Sequence, residues 1–268
     1  MRAGPAILLL VAAQLQAQDS SEWRWHSTLR AGQTIELKGV HGAIRAERAA
    51  GSEVEVVAVR RPGRRNRGNV NEVTLEVVPH TGGVTMCAMY PTPRWAFDPR
   101  NEWRGPNECM PGDSGRMNSD IDVQVEWMVR VPAGIGLSAR TINGAIEAHA
   151  LASDVEALTI NGSVVISTTG WAEAATLNGN IDATLGNAEW HGALDYRTMN
   201  GDITVRLPAH ANVDLHAESL SGGRVTADVP LELTTHLRRS RATGRMGRGG
   251  RDLYLGVTHG SVSILAGG

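Results

Sequence analysis

The chain has 268 residues, of which 41% are hydrophobic but only 4% aromatic, with 31 glycines and a formal net charge of −2. A charge so near neutral excludes a whole-molecule field directed at nucleic acid, and the length admits one large all-β domain or two smaller ones. So little aromatic bulk also argues against a conventional sandwich and for stacked strands filled with Val, Ile, Leu and Ala.

Residues 1–17 read as a secretory signal peptide, with Arg2 at the positive start, a short apolar run at 7–13 and Ala17 as the small residue at the cleavage point. A membrane span needs roughly 20 apolar residues, well beyond this run. The mature chain, beginning near Gln18, is therefore expected to be exported without a transmembrane segment, to the periplasm, the cell surface or the medium. Cys87 and Cys109 are the only cysteines, so none stands where lipid attachment would need one.

An N-terminal β region, residues 18–130, follows. The segments 53–59 and 70–78 are rich in β-branched residues, and Arg60, Arg61, Arg64, Arg65 and Arg67 gather beside Pro62 and Gly63. In an exported chain Cys87 and Cys109 are expected to pair, free or metal-binding thiols being the alternative. The disulfide would staple the loop 87–109, which is rich in Pro, Arg and Trp, and stabilise the fold by roughly 3 kcal/mol.

Gly112-Asp113-Ser114-Gly115 matches the nucleophile motif of trypsin-like proteases, but only over those four residues. Arg116 and Met117 stand where Gly-Pro should follow, Cys109 is one residue too far upstream, and no Ala-Ala-His-Cys segment gives His26, His41 or His80 its context. Catalysis needs a base within reach of the serine and a third group to orient it, so the motif is expected to be a turn. Asp120 and Asp122 share a face without a third oxygen ligand, and the nine histidines lack ligand spacing. No metal site, cofactor or catalytic residue is expected. Ile121, Val123, Val125, Trp127, Val129 and Val131 then alternate with polar residues, as in a strand with one wet face.

Residues 131–268 are repetitive. Thr141-Ile142-Asn143-Gly144-Ala145-Ile146 recurs as Thr159-Ile160-Asn161-Gly162-Ser163-Val164, as Thr176-Leu177-Asn178-Gly179-Asn180-Ile181 and as Thr198-Met199-Asn200-Gly201-Asp202-Ile203. Weaker copies are Ser219-Leu220-Ser221-Gly222, Val257-Thr258-His259-Gly260-Ser261-Val262 and, upstream, Val40-His41-Gly42-Ala43-Ile44. Asn and Gly tolerate positive φ, so each copy is expected to be a sharp corner. Hairpins would bring the corner back about every 8–12 residues; the observed interval is about double, one corner per two strands, which favours parallel coils over an antiparallel sandwich. The expected fold is all-β, a parallel β-solenoid or β-helix-like stack continuous with the less regular N-terminal part. In register, Asn143, Asn161, Asn178 and Asn200 would form a ladder, with Ile146, Val164, Ile181 and Ile203 as the adjacent inward row.

Two features invite chemistry. Glu147 and Asp182 occupy equivalent positions on alternate rungs, about 9–10 Å apart, a separation barely permissive for an inverting glycosidase, and Val165 lies between them. Arg238, Arg239, Arg241, Arg245, Arg248 and Arg251 lie in a Gly-rich stretch with no acidic residue among them, expected to be a flexible loop and a contact for anionic envelope polymer or polysaccharide. The loop lacks interleaved aromatics, which excludes nucleic acid as its partner.

The signal peptide, the Val131-Pro132-Ala133 lead-in and the Thr-Ile-Asn-Gly-x-Ile rungs together resemble a bacterial family known as putative adhesins, an exported β-strand-repeat domain of unknown function. The resemblance implies a β-helix-like, non-enzymatic protein of the cell envelope or surface, a binding or structural module. A carbohydrate-active β-helix enzyme and a scaffold for an envelope protein are the alternatives.

Overall fold

The computed structural model describes residues 21–65, 67–98, 100, 105–112, 115–236 and 239–267. The expected signal peptide, the Asp113-Ser114 pair and Arg238 lie outside them. Before the repeats come β1 (Glu22–Thr28), β2 (Thr34–Lys38), β3 (Ile44–Arg48), β4 (Glu53–Arg61), β5 (Thr74–His80), β6 (Gly83–Met89) and β7 (Gln124–Val131). The regular repeats supply β8 (Gly136–Arg140), β9 (Ile146–Leu151), β10 (Val155–Leu158), β11 (Val164–Thr168), β12 (Ala172–Asn178), β13 (Ile181–Leu185), β14 (Ala193–Asn200) and β15 (Ile203–Leu207). Then follow β16 (Val213–Ser219), β17 (Val225–Ala227), β18 (Leu231–His236), β19 (Arg239–Met246), β20 (Asp252–His259) and β21 (Val262–Ala266).

Among the described residues the fold is all-β, in two large mixed sheets with no closed barrel. The first has ten strands in the order β1-β4-β7-β3-β9-β11-β13-β15-β21-β17; the second has eleven, β18-β19-β16-β20-β14-β12-β10-β8-β2-β6-β5. At every Asn-Gly corner the chain passes from the second sheet to the first, and successive strands of each sheet pair in parallel. His41-Gly42 makes the same crossing between β2 and β3, and His259-Gly260 between β20 and β21. The expected all-parallel stack gives way at the ends, where β1, β4 and β7, β5 and β6, and β16, β19 and β18 pair antiparallel. Of these, β5 with β6 and β18 with β19 are hairpins, whereas β1 with β4, β4 with β7 and β16 with β19 meet across longer connections.

Ile146, Val164, Ile181 and Ile203 align strand by strand and are fully buried, and Ile44 and Val262 extend the row. The facing sheet contributes Ala139, Ala157 and Ala174 in register, with Tyr196 next in line. Small residues let the sheets close; Tyr196 fills the wider place, its hydroxyl donating to the Ala172 carbonyl. Each Ile or Val so buried contributes about 1.5–3 kcal/mol against an extended unfolded chain, which is an upper bound.

The corners owe their glycines to space. A Cβ on Gly144 would lie 1.9 Å from the Gly42 carbonyl oxygen; on Gly162, 2.0 Å from that of Gly144; on Gly179, 2.0 Å from that of Gly162. The row continues through Gly201 and Gly260 to Gly223, where the clash would be with the Gly260 oxygen at 1.7 Å. Gly42, Gly201 and Gly260 take the positive φ expected at the corners, but Gly144, Gly162 and Gly179 do not, nor do the asparagines before them; what all six share is a close approach of backbones. In the irregular copy, it is Gly223 and not Gly222 that takes the place in the row; Gly222 turns the chain at φ +84°.

Two hydrogen-bond rows flank the glycines. Thr159, Thr176 and Thr198 each donate Oγ1–H to the carbonyl of Gly144, Gly162 and Gly179 respectively, all at 2.9 Å, and Ser219 donates to Gly260 at 2.8 Å. The asparagine ladder forms as expected: Asn161, Asn178 and Asn200 donate Nδ2–H to the side-chain oxygen of the preceding asparagine at 2.8, 2.8 and 2.7 Å. It ends on His41, whose Nδ1 accepts from Asn143 at 3.1 Å and whose ring meets Tyr90 edge-on at 5.8 Å. Burial lowers the His41 pKa, although the Ile121 carbonyl and Asp122 pull the other way.

Gly162→Ala should cost about 3 kcal/mol, since neither backbone can retreat without breaking the ladder; an unchanged urea midpoint would contradict this. Because the folded chain resists protonating His41, the histidine's contribution is complete above its ordinary value of 6.5 and is lost as pH falls through the lowered folded value. His41→Asn, which continues the ladder, should flatten the fall in melting temperature between about pH 7 and 5. An equally steep fall in the variant would rule His41 out as its cause.

Candidate functional site

The stapled loop is a cover. Cys87 and Cys109 form a disulfide with Cα atoms 5.7 Å apart. Lys38 and Glu36 stand on the outer face of β2, yet both are buried, because the loop lies on them. The Lys38 ammonium donates to the carbonyls of Met110 and Gly112, and Glu36 accepts from the Gly112 N–H at 3.1 Å and from Thr85 Oγ1 at 2.7 Å. Lys38 and Arg140 lie 3.4 and 3.7 Å from the Glu36 carboxylate. The carboxylate is thus enclosed by two hydrogen bonds and two cations beneath the loop. The loop is pinned further by Tyr90, whose hydroxyl donates to Val123, and by Asn107, which bridges Tyr90 and Asn118.

The other sequence candidates are also held by local partners. Glu147 and Asp182 do align on either side of Val165, but Arg45 binds the first at 3.4 Å and Arg206 the second. Asp122 spends its carboxylate on the backbone N–H groups of Arg65 and Arg67, which outweigh burial and hold its pKa low. Among the described residues, no three His, Cys, Asp or Glu side chains converge.

The second arginine segment is not the loop expected. Arg239, Arg241 and Arg245 lie on β19, on exposed positions that alternate with buried Ser240, Ala242 and Met246. Arg239 and Arg241 bind Glu218, and Arg245 binds Asp214 at 2.9 Å. Burial pushes the Glu218 carboxyl up, but the two guanidiniums outweigh it and hold its pKa low; Arg245 and the Gly250 N–H do the same for Asp214. Arg248 reaches Asn212 through its backbone, and Arg251 donates to the Trp190 carbonyl. Strand character was hidden because this β19 face carries arginine while the inward residues are small.

Beside β19 the outer face of the second sheet opens into a cleft of about 750 Å³, lined by residues of β12, β14, β20, β16 and β19. Register builds it in rows. Arg197, Gly256, Glu218 and Arg241 run across the floor on neighbouring strands. One wall is apolar, formed by half-exposed Leu177, Met199 and Leu220, the residues that precede each corner's third position. The other is Tyr254, 41% exposed, stacked on His216 with ring centroids 4.6 Å apart and planes 15° from parallel. His216 is itself 3.1 Å from Asp252, and Arg197 donates to Asp195 at 2.7 Å. Farther along, Glu173 is raised by burial and by its carboxylate neighbours Glu156 and Asp195.

None of Tyr254, His216 or Gly256 was singled out from sequence. The one available signal was Tyr254, an aromatic on the polar phase of the alternating run Leu253-Tyr254-Leu255.

Reduction of the disulfide should release the loop and uncover Lys38, the one lysine in the chain. An amine-acylating reagent should then modify Lys38 at least tenfold faster, and the fold should lose about 3 kcal/mol. Equal labelling of oxidised and reduced protein would show that the loop stays down without its staple.

No family description matches the chain, and no curated protein matches it. Among solved structures, a putative cell adhesion protein from Clostridium sporogenes is similar at a TM-score of 0.43 and 10% identity, over 91% of this chain and 99% of that one. A putative adhesin from Bacteroides fragilis is similar at a TM-score of 0.38 and 10% identity, over 92% of this chain and 98% of that one. The chain thus resembles, along most of its length, bacterial proteins described as putative adhesins.

Proposed function

We propose that this chain is a non-enzymatic, exported binding module of the cell envelope or surface, adhesin-like in role. The observation that carries the reading is the open cleft on the second sheet, whose lining carboxylates are engaged by arginine, Asp195 by Arg197 and Glu218 by Arg239 and Arg241. The Cys87–Cys109 disulfide suits an oxidising compartment, as does the signal peptide read at residues 1–17. On this reading the rungs are one β-solenoid-like body running from the N-terminal region, 18–130, through 131–268, with its ends capped by antiparallel strands.

The arginine-rich edge is a second element of the proposal. Arg239, Arg241 and Arg245 are held by Glu218 and Asp214, whereas Arg248 and Arg251 enter no ion pair among the described residues and leave positive charge for an anionic envelope polymer. The purified chain should co-sediment with envelope fractions. Retention should weaken severalfold between about 50 and 500 mM salt, and also on replacing Arg245, Arg248 and Arg251 by serine. Failure to co-sediment at low salt would overturn the envelope reading; retention indifferent to both salt and the substitutions would overturn the arginine contact.

A further inference from the structure

Gly256 is a glycine that its backbone does not require. It lies in the middle of β20, has no positive φ, and a Cβ built on it meets nothing within 4 Å. The corner glycines are demanded by a carbonyl about 2 Å away; here a side chain would fit, and strands favour almost any residue over glycine. What the missing side chain does is leave the floor of the cleft open between Arg197 and Glu218, one strand away on either side. Two residues earlier on the same face stands Tyr254, backed by His216.

We propose that this cleft is a binding site for an uncharged saccharide, with one pyranose ring seated over Gly256 against Tyr254. This deepens the proposed function and rests on it. Among the residues lining the cleft, Arg197 and Arg241 are balanced by Asp195 and Glu218, so neither an anion nor a cation is favoured. The pairs still present guanidinium donors and carboxylate acceptors side by side, which suits adjacent hydroxyls on a sugar. A pyranose also has an apolar face, and an exposed tyrosine held rigid from behind offers it a flat apolar body with a polar tip.

Other occupants fit less well. Strands β14, β20 and β16 are each paired on both sides, so a peptide finds no free backbone edge to extend. An acyl chain would meet charge along the floor. The volume, about 750 Å³, lies in the range of small-ligand sites and is open enough for an oligomer to pass through.

The test is saturation-transfer NMR on the whole mature chain with cellotetraose, maltotetraose, mannotetraose and chitotetraose, with tetragalacturonate as the acidic comparison. At least one neutral tetrasaccharide should receive transfer to its ring CH protons, unaffected by salt. Gly256→Leu should fill the floor and Tyr254→Ala remove the platform, each weakening binding at least tenfold, while the Gly256→Leu unfolding midpoint stays at or above that of the unsubstituted chain. No transfer to any neutral sugar, or transfer that survives both substitutions, overturns the site. Anilinonaphthalene sulfonate binding that Gly256→Leu abolishes, without sugar binding, would assign the cleft to an apolar occupant instead. A chain that co-sediments with envelope but gives no transfer to any neutral sugar would sink this inference and leave the broader function standing; failure of the unsubstituted chain to co-sediment would sink both.

Discussion

A column of backbone with no room for a β-carbon governs this molecule. From Gly42 through Gly144, Gly162, Gly179, Gly201 and Gly260 to Gly223, each corner sits so close to the next carbonyl that any side chain would overlap it. That contact sets the spacing of successive coils and, with it, the register of both sheets. A one-residue slip would turn every inward Ile and Val outward. The buried threonine hydroxyls and the exposed asparagine amides then lock the spacing from either side, the former satisfied by carbonyls that the tight packing brings within reach. Side chains of one kind stacked in line make the same hydrogen bonds at each level, as in stacked sheets generally.

The ends are where repetition has to stop. An open parallel stack would present unpaired strand edges, and this chain closes each end of the second sheet with an antiparallel partner and one end of the first with β4 and β1. At the N-terminal end the turn joining β6 to β7 has grown into the disulfide-bonded loop, which seals the outer face over Glu36 and Lys38. Toward the other end the outer face stays bare, and there the cleft lies. One face of one sheet is therefore covered at one end and open at the other.

Much of this was legible in the amino-acid sequence wherever the information was local. The Thr-x-Asn-Gly copies are about two strands apart, which distinguishes coils from hairpins, and their period predicts the asparagine ladder and the Ile146 row. Positive φ, the reason the sequence offers for the glycines, holds at Gly42, Gly201 and Gly260 only, while the crowding that all the corners share favours the same residue and leaves no separate mark. Strand β19 reads as a loop in sequence because its arginines, glycine and mostly small inward residues hide its alternation. The cleft was invisible for a different reason. Its walls come from segments as far apart as Leu177 and Tyr254, and they become neighbours only because β20 pairs with both β14 and β16. No periodicity in one segment reports that pairing, and a glycine that leaves space looks, in one dimension, like a glycine that lacks it.

That pairing also orders events in time. Strands β20 and β21 come last among the strands along the chain but lie between rungs formed by earlier ones, β14 with β15 and β16 with β17. Until they arrive, β14 and β16 have no partner on their facing edges, and the floor of the cleft does not exist. Such long-range insertion raises contact order and slows folding, so the stack cannot zip up residue by residue as it is made. A chain built this way keeps a gap in its wall until its closing segment drops in, and the place it fills last is the place where we expect a sugar to bind.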